Sequence, residues 1–509
     1  MFKASVKVVL ILLFFCVNRL QAENRKDIYW AYLNEDVTLK QAEETLVAYG
    51  KIRVVSRGLH AISLKLNIGV NAESLSSLSL VSRLEPVRLL YTPPEPEIPR
   101  RLMEKTGVTK DPVYGYAYDQ LQSVGIIDAH NQGYTGQGIR IGILDTGFKT
   151  SLDFFEKIRM EERLIAEWDF INNDGTTEDE AGDGEDGTFQ THGTGVWSII
   201  GGYEEGEFIG GAFDAEFVLA KTEVLLSETP IEEDYFAAAI EWFDSLEVDI
   251  ASASLAYLEF KDDPELSYPV SALDGQTTVV ARICNWAASR GMIIVNAAGN
   301  EGPGPTTLWS PGDSPLVITV GSVNETEEVS TFSGRGPTAD GRIKPDIAAL
   351  GEKVYKALPS GEIAYGHGTS YATPLIACGV ALIKQLRPDW DVQDILKLFK
   401  HYARQEKNND TGWGVPDFGK MVRDLYQSSL TSFSLTAYPN PATYGITILS
   451  PRIAPTQSLK IYDLRGREIW KTSNHSLDDS LRFFIPVSNW PAGIYFGQTG
   501  GQTVKFIKL

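Results

Sequence analysis

Three residues in this chain stand in settings that could turn a weak hydroxyl into a nucleophile. Ser370 lies in Tyr365-Gly366-His367-Gly368-Thr369-Ser370-Tyr371-Ala372-Thr373-Pro374. The glycines before it let the backbone bend and leave room for a substrate. Pro374 suits a first helical turn, where a missing amide hydrogen costs nothing. Residues 375–383 are almost all apolar or small, as in a helix with neighbours on every side. A hydroxyl at such a helix start gains from the dipole, which favours negative charge there. Ile141-Gly142-Ile143-Leu144-Asp145-Thr146-Gly147 delivers a carboxylate at the C-terminal end of what reads as a buried parallel strand. Thr191-His192-Gly193-Thr194-Gly195-Val196 opens a second apolar helical stretch with a histidine. Singly, these could be a capping turn, a turn aspartate and a core histidine. Together they supply nucleophile, base and orienting acid in the order Asp145, His192, Ser370, one of the chain orders that solve this geometry. The serine needs an imidazole to take its proton, and the imidazole needs a carboxylate to fix its tautomer.

On these motifs the chain resembles the subtilases, the subtilisin-like serine proteases. Ile293-Ile294-Val295-Asn296-Ala297-Ala298-Gly299-Asn300-Glu301-Gly302 is similar to the family's strand and loop that carry an oxyanion asparagine. The resemblance implies that Asp145 orients His192, that His192 deprotonates Ser370, and that Asn300 with the Ser370 N–H meets the oxyanion. Thr331-Phe332-Ser333-Gly334-Arg335-Gly336-Pro337, Lys344-Pro345-Asp346-Ile347 and Gly412-Trp413-Gly414-Val415-Pro416 resemble further family segments. Ser252-Ala253-Ser254-Leu255 resembles the substrate-binding strand, and Ser252, Ser254, Leu255 and Gly299 are the substrate-binding candidates. Such an edge would pair with an extended peptide through backbone hydrogen bonds; an ordinary core strand end is the other reading. The sequence also departs from the family pattern. Gly195 and Trp197 stand where a second histidine and a small residue are frequent, Tyr371 replaces a common methionine, and Ala256 stands where a glycine often closes the substrate strand.

The elements around these motifs divide the chain. Lys3 and Lys7 precede an apolar run over 8–17, too short to span a bilayer, and Leu20-Gln21-Ala22 offers a cleavage site, so 1–22 reads as an export signal. Residues 23–95 alternate extended and helical runs in a βαββαβ order, with the second helix expected over 72–80, which suits a small ferredoxin-like α+β domain. It resembles the inhibitory prosegment of subtilases; an independent substrate-binding module is the alternative. Thr92 to Arg100 is Pro-rich and reads as an exposed linker, with the cleavage between it and Pro112, which makes 96–111 the linker and processing region. Residues 112–428 alternate strands and helices, predicting an α/β subtilisin-like parallel sheet with helices on both faces. A helix over 421–426 should end this unit, and Gln427-Ser428-Ser429 reads as a flexible linker. Residues 434–509 hold seven short extended runs separated by Gly and Pro, a small β-sandwich. Tyr438-Pro439-Asn440-Pro441, Ile461-Tyr462-Asp463-Leu464-Arg465-Gly466 and Ala492-Gly493-Ile494-Tyr495-Phe496 resemble the sorting domain of type IX secretion cargo in Bacteroidetes-like bacteria. A carbohydrate-binding or adhesive domain is the other reading of this tail.

Composition narrows the function classes. A net charge of −21 opposes nucleic-acid binding, which needs a basic face. Much of the excess lies in Asp174, Glu178, Asp179, Glu180, Asp183, Glu185 and Asp186. That loop reads as a solvated insertion; it could also hold a structural calcium ion, although its spacing matches no EF-hand. No CxxC pair or HExxH motif occurs, so no catalytic metal or other cofactor is expected. Cys284 and Cys378 read as buried thiols, although one bridge is conceivable. The chain is therefore expected to act on polypeptides, to bind its own prosegment and the type IX machinery, and to travel through the periplasm to the outer-membrane surface or medium. It carries no expected transmembrane segment once mature. Two other classes compete: an inactive surface scaffold, and a serine esterase, which would place its acid and histidine after the serine, where only His401 and His475 follow.

Overall fold

The computed structural model describes residues 27–87, 111–180, 189–223, 232–255, 268–431, 435–449, 458–471, 482–499 and 502–509. The expected export signal lies outside them, as do Asp183, Glu185, Asp186, Ala256, His475 and all of the 96–111 linker but Asp111.

The N-terminal unit runs β1 (Ile28–Leu33), α1 (Leu39–Leu46), β2 (Gly50–Ser56), β3 (Ala61–Leu66), α2 (Ala72–Ser76) and β4 (Val81–Pro86), the expected βαββαβ order. Its antiparallel sheet has the order β2-β3-β1-β4. Thr38 and Gln41 start α1 with a reciprocal cap. The second helix stops at Ser76, short of residue 80, because Ser76 and Ser77 turn their hydroxyls onto the Glu73 and Ser74 carbonyls. Alternation along β1 divides its side chains between two cores. Ala31 and Leu33 join Leu46 and Leu75 in the unit's own cluster, while Ile28, Trp30 and Tyr32 join the main core.

The main sheet comprises β5 (Arg140–Asp145), β6 (Leu164–Asp169), β7 (Glu216–Lys221), β8 (Ile250–Ala253), β9 (Ile293–Ala297), β10 (Val317–Val323) and β11 (Ile347–Leu350). All its pairings are parallel, in the order β11-β10-β9-β8-β5-β7-β6. Its central strands β8, β9 and β10 are buried along their whole length, as strands covered on both faces must be. Helices α3 (Gln190–Gly201), α6 (Thr369–Leu386) and α7 (Phe418–Thr431) pack together, and α4 (Glu232–Ser245) packs on α5 (Val279–Ser289). A hairpin of β12 (Val354–Ala357) and β13 (Ile363–Gly366) leads into α6, every residue of which is buried. The strand order reverses beside β5, between β7 and β8. In open α/β sheets such a reversal is where ligands bind, beyond the carboxyl ends of the strands.

Helix α7 continues to Thr431, so the expected linker at Gln427-Ser428-Ser429 is helical. No glycine or proline occurs between Gly419 and Pro439 to break it. The C-terminal unit forms the seven expected strands: β14 (Thr436–Tyr438), β15 (Gly445–Leu449), β16 (Lys460–Asp463), β17 (Glu468–Lys471), β18 (Arg482–Pro486), β19 (Gly493–Thr499) and β20 (Gln502–Lys508). They make two antiparallel sheets, β14-β15-β18 and β17-β16-β19-β20. Ile446, Ile448, Ile461, Ile485, Tyr495 and Phe506 share one core, separate from the other two. Both described cysteines, Cys284 and Cys378, are buried free thiols, and burial pushes the Cys284 thiol up.

Candidate active site

Asp145 ends β5, fully buried, and its Oδ1 stands 2.7 Å from His192 Nδ1. A carboxylate only accepts, so Nδ1 carries the hydrogen and Nε2 of the neutral ring is left with its lone pair. The same oxygen accepts the Thr146 N–H at 2.8 Å, which fixes the carboxylate plane. The close approach of α3 to this strand end depends on the residue after the histidine. A Cβ on Gly193 would fall 2.2 Å from the Gly147 carbonyl oxygen and 3.0 Å from Asp145 Cβ, so any larger residue would push His192 off its acid.

Ser370 is the second residue of α6, where the first-turn amides and the dipole favour a developing negative charge. Pro374 lies inside this helix, not in its first turn as the sequence suggested, because the helix starts at Thr369. Lacking an N–H, Pro374 cannot bond the Ser370 carbonyl four residues back. Ser254 Oγ donates to that carbonyl instead, at 2.9 Å, while Ser370 Oγ lies 3.4 Å from the Ser254 carbonyl. The nucleophile candidate is thereby clamped to the exit of β8 by two contacts in opposite directions.

Asn300 approaches the same helix start. Its Oδ1 accepts the Thr369 N–H and Oγ1–H, both at 3.0 Å. Because an N–H must donate, the atom facing it is the amide oxygen, and Nδ2 is turned away to donate elsewhere. Gly299 is engaged through its carbonyl, which accepts from Gly334 N at 2.8 Å and lies 3.2 Å from Thr369 Oγ1. Leu255 is held by Asn296, whose Nδ2 donates to its carbonyl at 2.9 Å. Asn296 is itself buried and braces the strand exit. Ser252 lies deeper, inside the sheet between Ile143 and Val295. The structure therefore gathers Asp145, His192, Ser370, Ser254 and Asn300 at the strand tips, and leaves Ser252 within the sheet. Thr369 was not anticipated; its signal is a hydroxyl residue one place before the serine, which only its contact to Asn300 makes meaningful.

The described carboxylates of the acidic loop have protein partners. Glu178 pairs with Lys149 and accepts the Ser151 N–H at 3.0 Å. Burial opposes its ionisation, yet these two partners hold it below the usual carboxylate range. Asp179 accepts the Gln190 N–H at 3.0 Å at the head of α3. Among the described residues no group of three or more His, Cys, Asp or Glu side chains could hold a metal ion. Nor is any described helix long and apolar enough to cross a membrane.

Residues 436–508 match the family described as a secretion system C-terminal sorting domain, which marks cargo of type IX secretion for the cell surface or the medium. Serine protease AprX of Bacillus subtilis is 29% identical over 309 residues, covering 55% of this chain and 64% of that protein. Subtilisin-like protease SBT6.1 of Arabidopsis thaliana is 29% identical over 273 residues, covering 52% of this chain and 23% of that protein. The chain thus spans less than two thirds of either relative. The solved structure of the Clostridium perfringens CspB protease superposes with a TM-score of 0.51 at 17% identity, covering 61% of this chain and 99% of that one, a likeness of fold. Residues 136–414, more than half of the chain, match the subtilase family itself, and the chain belongs to it.

Proposed function

We propose that this chain is a secreted serine endopeptidase, made as a zymogen, that cleaves peptide bonds through an acyl-enzyme. The 2.7 Å bond between His192 Nδ1 and Asp145 Oδ1, beside the helix start that bears Ser370, carries this reading. His192 Nε2 takes the proton as Ser370 Oγ attacks the carbonyl, and Asp145 stabilises the imidazolium that forms. Asn300 Nδ2 and the Ser370 N–H receive the charge on the oxyanion. His192 then protonates the leaving amine, and water repeats the sequence to release the acid. These side chains supply nucleophile, base and oxyanion donors, so the chemistry calls for no cofactor. The exit of β8 at Ser254 and Leu255, with Gly299 opposite, would align an extended polypeptide substrate.

In this reading 1–22 is the export signal, 23–95 the inhibitory prosegment, 96–111 the processing region, 112–428 the catalytic domain and 434–509 the sorting domain handed to the type IX machinery. Ser370→Ala tests it. The variant should fold, lose peptide turnover and fluorophosphonate labelling, and keep the N-terminal unit attached if maturation is autocatalytic. Wild-type cleavage by the purified variant would refute the assignment. Because His192 must be neutral, wild-type activity should rise through an apparent pKa of about 6–7 and level off above it; a maximum near pH 4 would contradict the base.

A further inference from the structure

Two of the sequence's departures from the subtilase pattern, Tyr371 and Gly195, meet at one place behind the active site. Tyr371, directly after Ser370, is fully buried, and its ring centroid lies 5.7 Å from that of His192. Its hydroxyl hydrogen-bonds to Lys356 Nζ, and the same Nζ lies 4.1 Å from the centroid of its ring. Lys356 comes from β12 and is itself buried. Its stem occupies the space left by Gly195, one turn along α3 from His192: a Cβ on Gly195 would fall 2.6 Å from Lys356 Cδ. The hairpin is pinned to that turn, since the Ala357 N–H donates to Ser198 Oγ at 3.0 Å and Ser198 Oγ donates to the Gly195 carbonyl at 2.7 Å. From the other side Gly366 admits the ring, a Cβ there falling 2.4 Å from Tyr371 Cε2.

We propose that Lys356 and Tyr371 are positioning residues for His192 and Ser370, and that the Lys356 ammonium disfavours the imidazolium of resting His192 and so extends activity toward lower pH. The proposal rests on the peptidase reading above. Burial pushes the Lys356 amine down to about 7. Below that pH it is mainly a cation, donating N–H to the phenol oxygen; above it, the neutral amine can accept the phenol O–H. The bond therefore persists through neutrality while the charge changes. A cation near the imidazole lowers the pH at which His192 becomes neutral, and it does so where Lys356 is charged. Other titratable groups nearby are Asp145 on His192 Nδ1 and, next to Lys356 along the hairpin but on its other face, Tyr355 and Tyr365, the latter in contact with His367. Tyr116 and Asp119 stand by Tyr355, with Glu352 and Lys353 by His367.

The test uses Lys356→Met, Tyr371→Phe and their combination in the full chain. Lys356→Met should lower kcat about tenfold with KM within about twofold, as expected of a misplaced reacting group. It should also move the acidic limb of the pH–rate profile upward by about half to one pH unit. Tyr371→Phe keeps the ring and should give a smaller loss of kcat in the same direction. The double variant should cost less than the two singles combined. A titration of the His192 ring by NMR in the Ser370→Ala background reads the electrostatic effect without turnover, and should show the same upward move. The proposal falls if Lys356→Met folds normally and leaves both the limb and the His192 titration unmoved. It falls equally if Tyr371→Phe keeps wild-type kcat. Should Lys356→Met fail to fold, the near-isosteric Tyr371→Phe decides alone through kcat and the limb. Absence of Ser370-dependent turnover in the wild type would instead refute the peptidase reading, and the NMR arm would still judge the pair.

Discussion

The N-terminal and C-terminal units are both small β-rich bodies joined to the same enzyme core, yet they are attached in opposite ways. The N-terminal sheet lends Ile28, Trp30 and Tyr32 to the main core. It also sets polar groups against buried carboxylates of α4. Arg53 Nε and Ser63 Oγ donate to Asp234 at 2.7 and 2.6 Å, and the Arg57 N–H reaches Glu241 at 3.0 Å. Arg282 of α5 returns an ion pair to Glu85 at 2.9 Å. The C-terminal sandwich keeps its own core and touches the enzyme through Tyr438 on Asp249, at 2.7 Å, and Thr443 on Glu247, at 3.2 Å. A unit whose apolar face completes another's core takes part in forming that core; a unit closed upon itself is carried along.

Four experiments bear on this contrast. Removing residues 23–95 from the gene should abolish recovery of active, natively packed enzyme, read by peptide turnover and near-UV circular dichroism. Full activity from that variant would erase the distinction between the two units. Next in size, Asn300→Ala should lower kcat by about 10²–10³-fold with little change in KM, the range that holds for an oxyanion donor in subtilisin. The loss should be the same with and without the tail; a different loss would mean that the sandwich reaches into the site. Asp234→Ala, made in the unprocessed Ser370→Ala precursor, strips Arg53 of its buried partner and should cost about 3–5 kcal/mol of unfolding free energy. A change near zero in denaturant melts would place the N-terminal hold in the apolar contacts alone. Deleting residues 434–509 should leave kcat/KM of the processed enzyme within about twofold. In the native host the same deletion should strand the enzyme in the periplasm, as fractionation and immunoblotting would show. Normal delivery to the medium would favour an adhesive role for the tail.

The two outer units were legible in the sequence to nearly the same degree, because strand alternation and Gly/Pro turns are local signals. All seven runs of the tail became strands, and the βαββαβ order appeared with only its second helix shortened. Failures came where tertiary partners decide. Pro374 marked a helix start by local rules, but the helix begins at Thr369 because Ser254 supplies the donor that the proline lacks. Gln427-Ser428-Ser429 looked like a linker by composition, although nothing in it forbids a helix. Asp145 and His192, 47 residues apart, were paired from the chemistry of their motifs and from the family resemblance, and the structure sets them side by side. Asn296 shows the limit of such reasoning. Nothing in its strand motif marks it, yet its side chain holds the Leu255 carbonyl, so substituting it would disturb the strand exit.

The missing rung in helix α6 has a mechanical consequence. The Ser370 carbonyl hangs on Ser254, at the tip of the strand proposed to receive the peptide, so the hydroxyl and the docking rail move as one piece. On the proposed reading, a peptide that seats out of register would tug the rail and carry Ser370 with it. A displacement of about 1 Å in such an alignment costs about 10²-fold in rate. On the proposed peptidase reading, an ill-fitting chain would thus be penalised twice, once in how it binds and again in how the attacking oxygen is aimed.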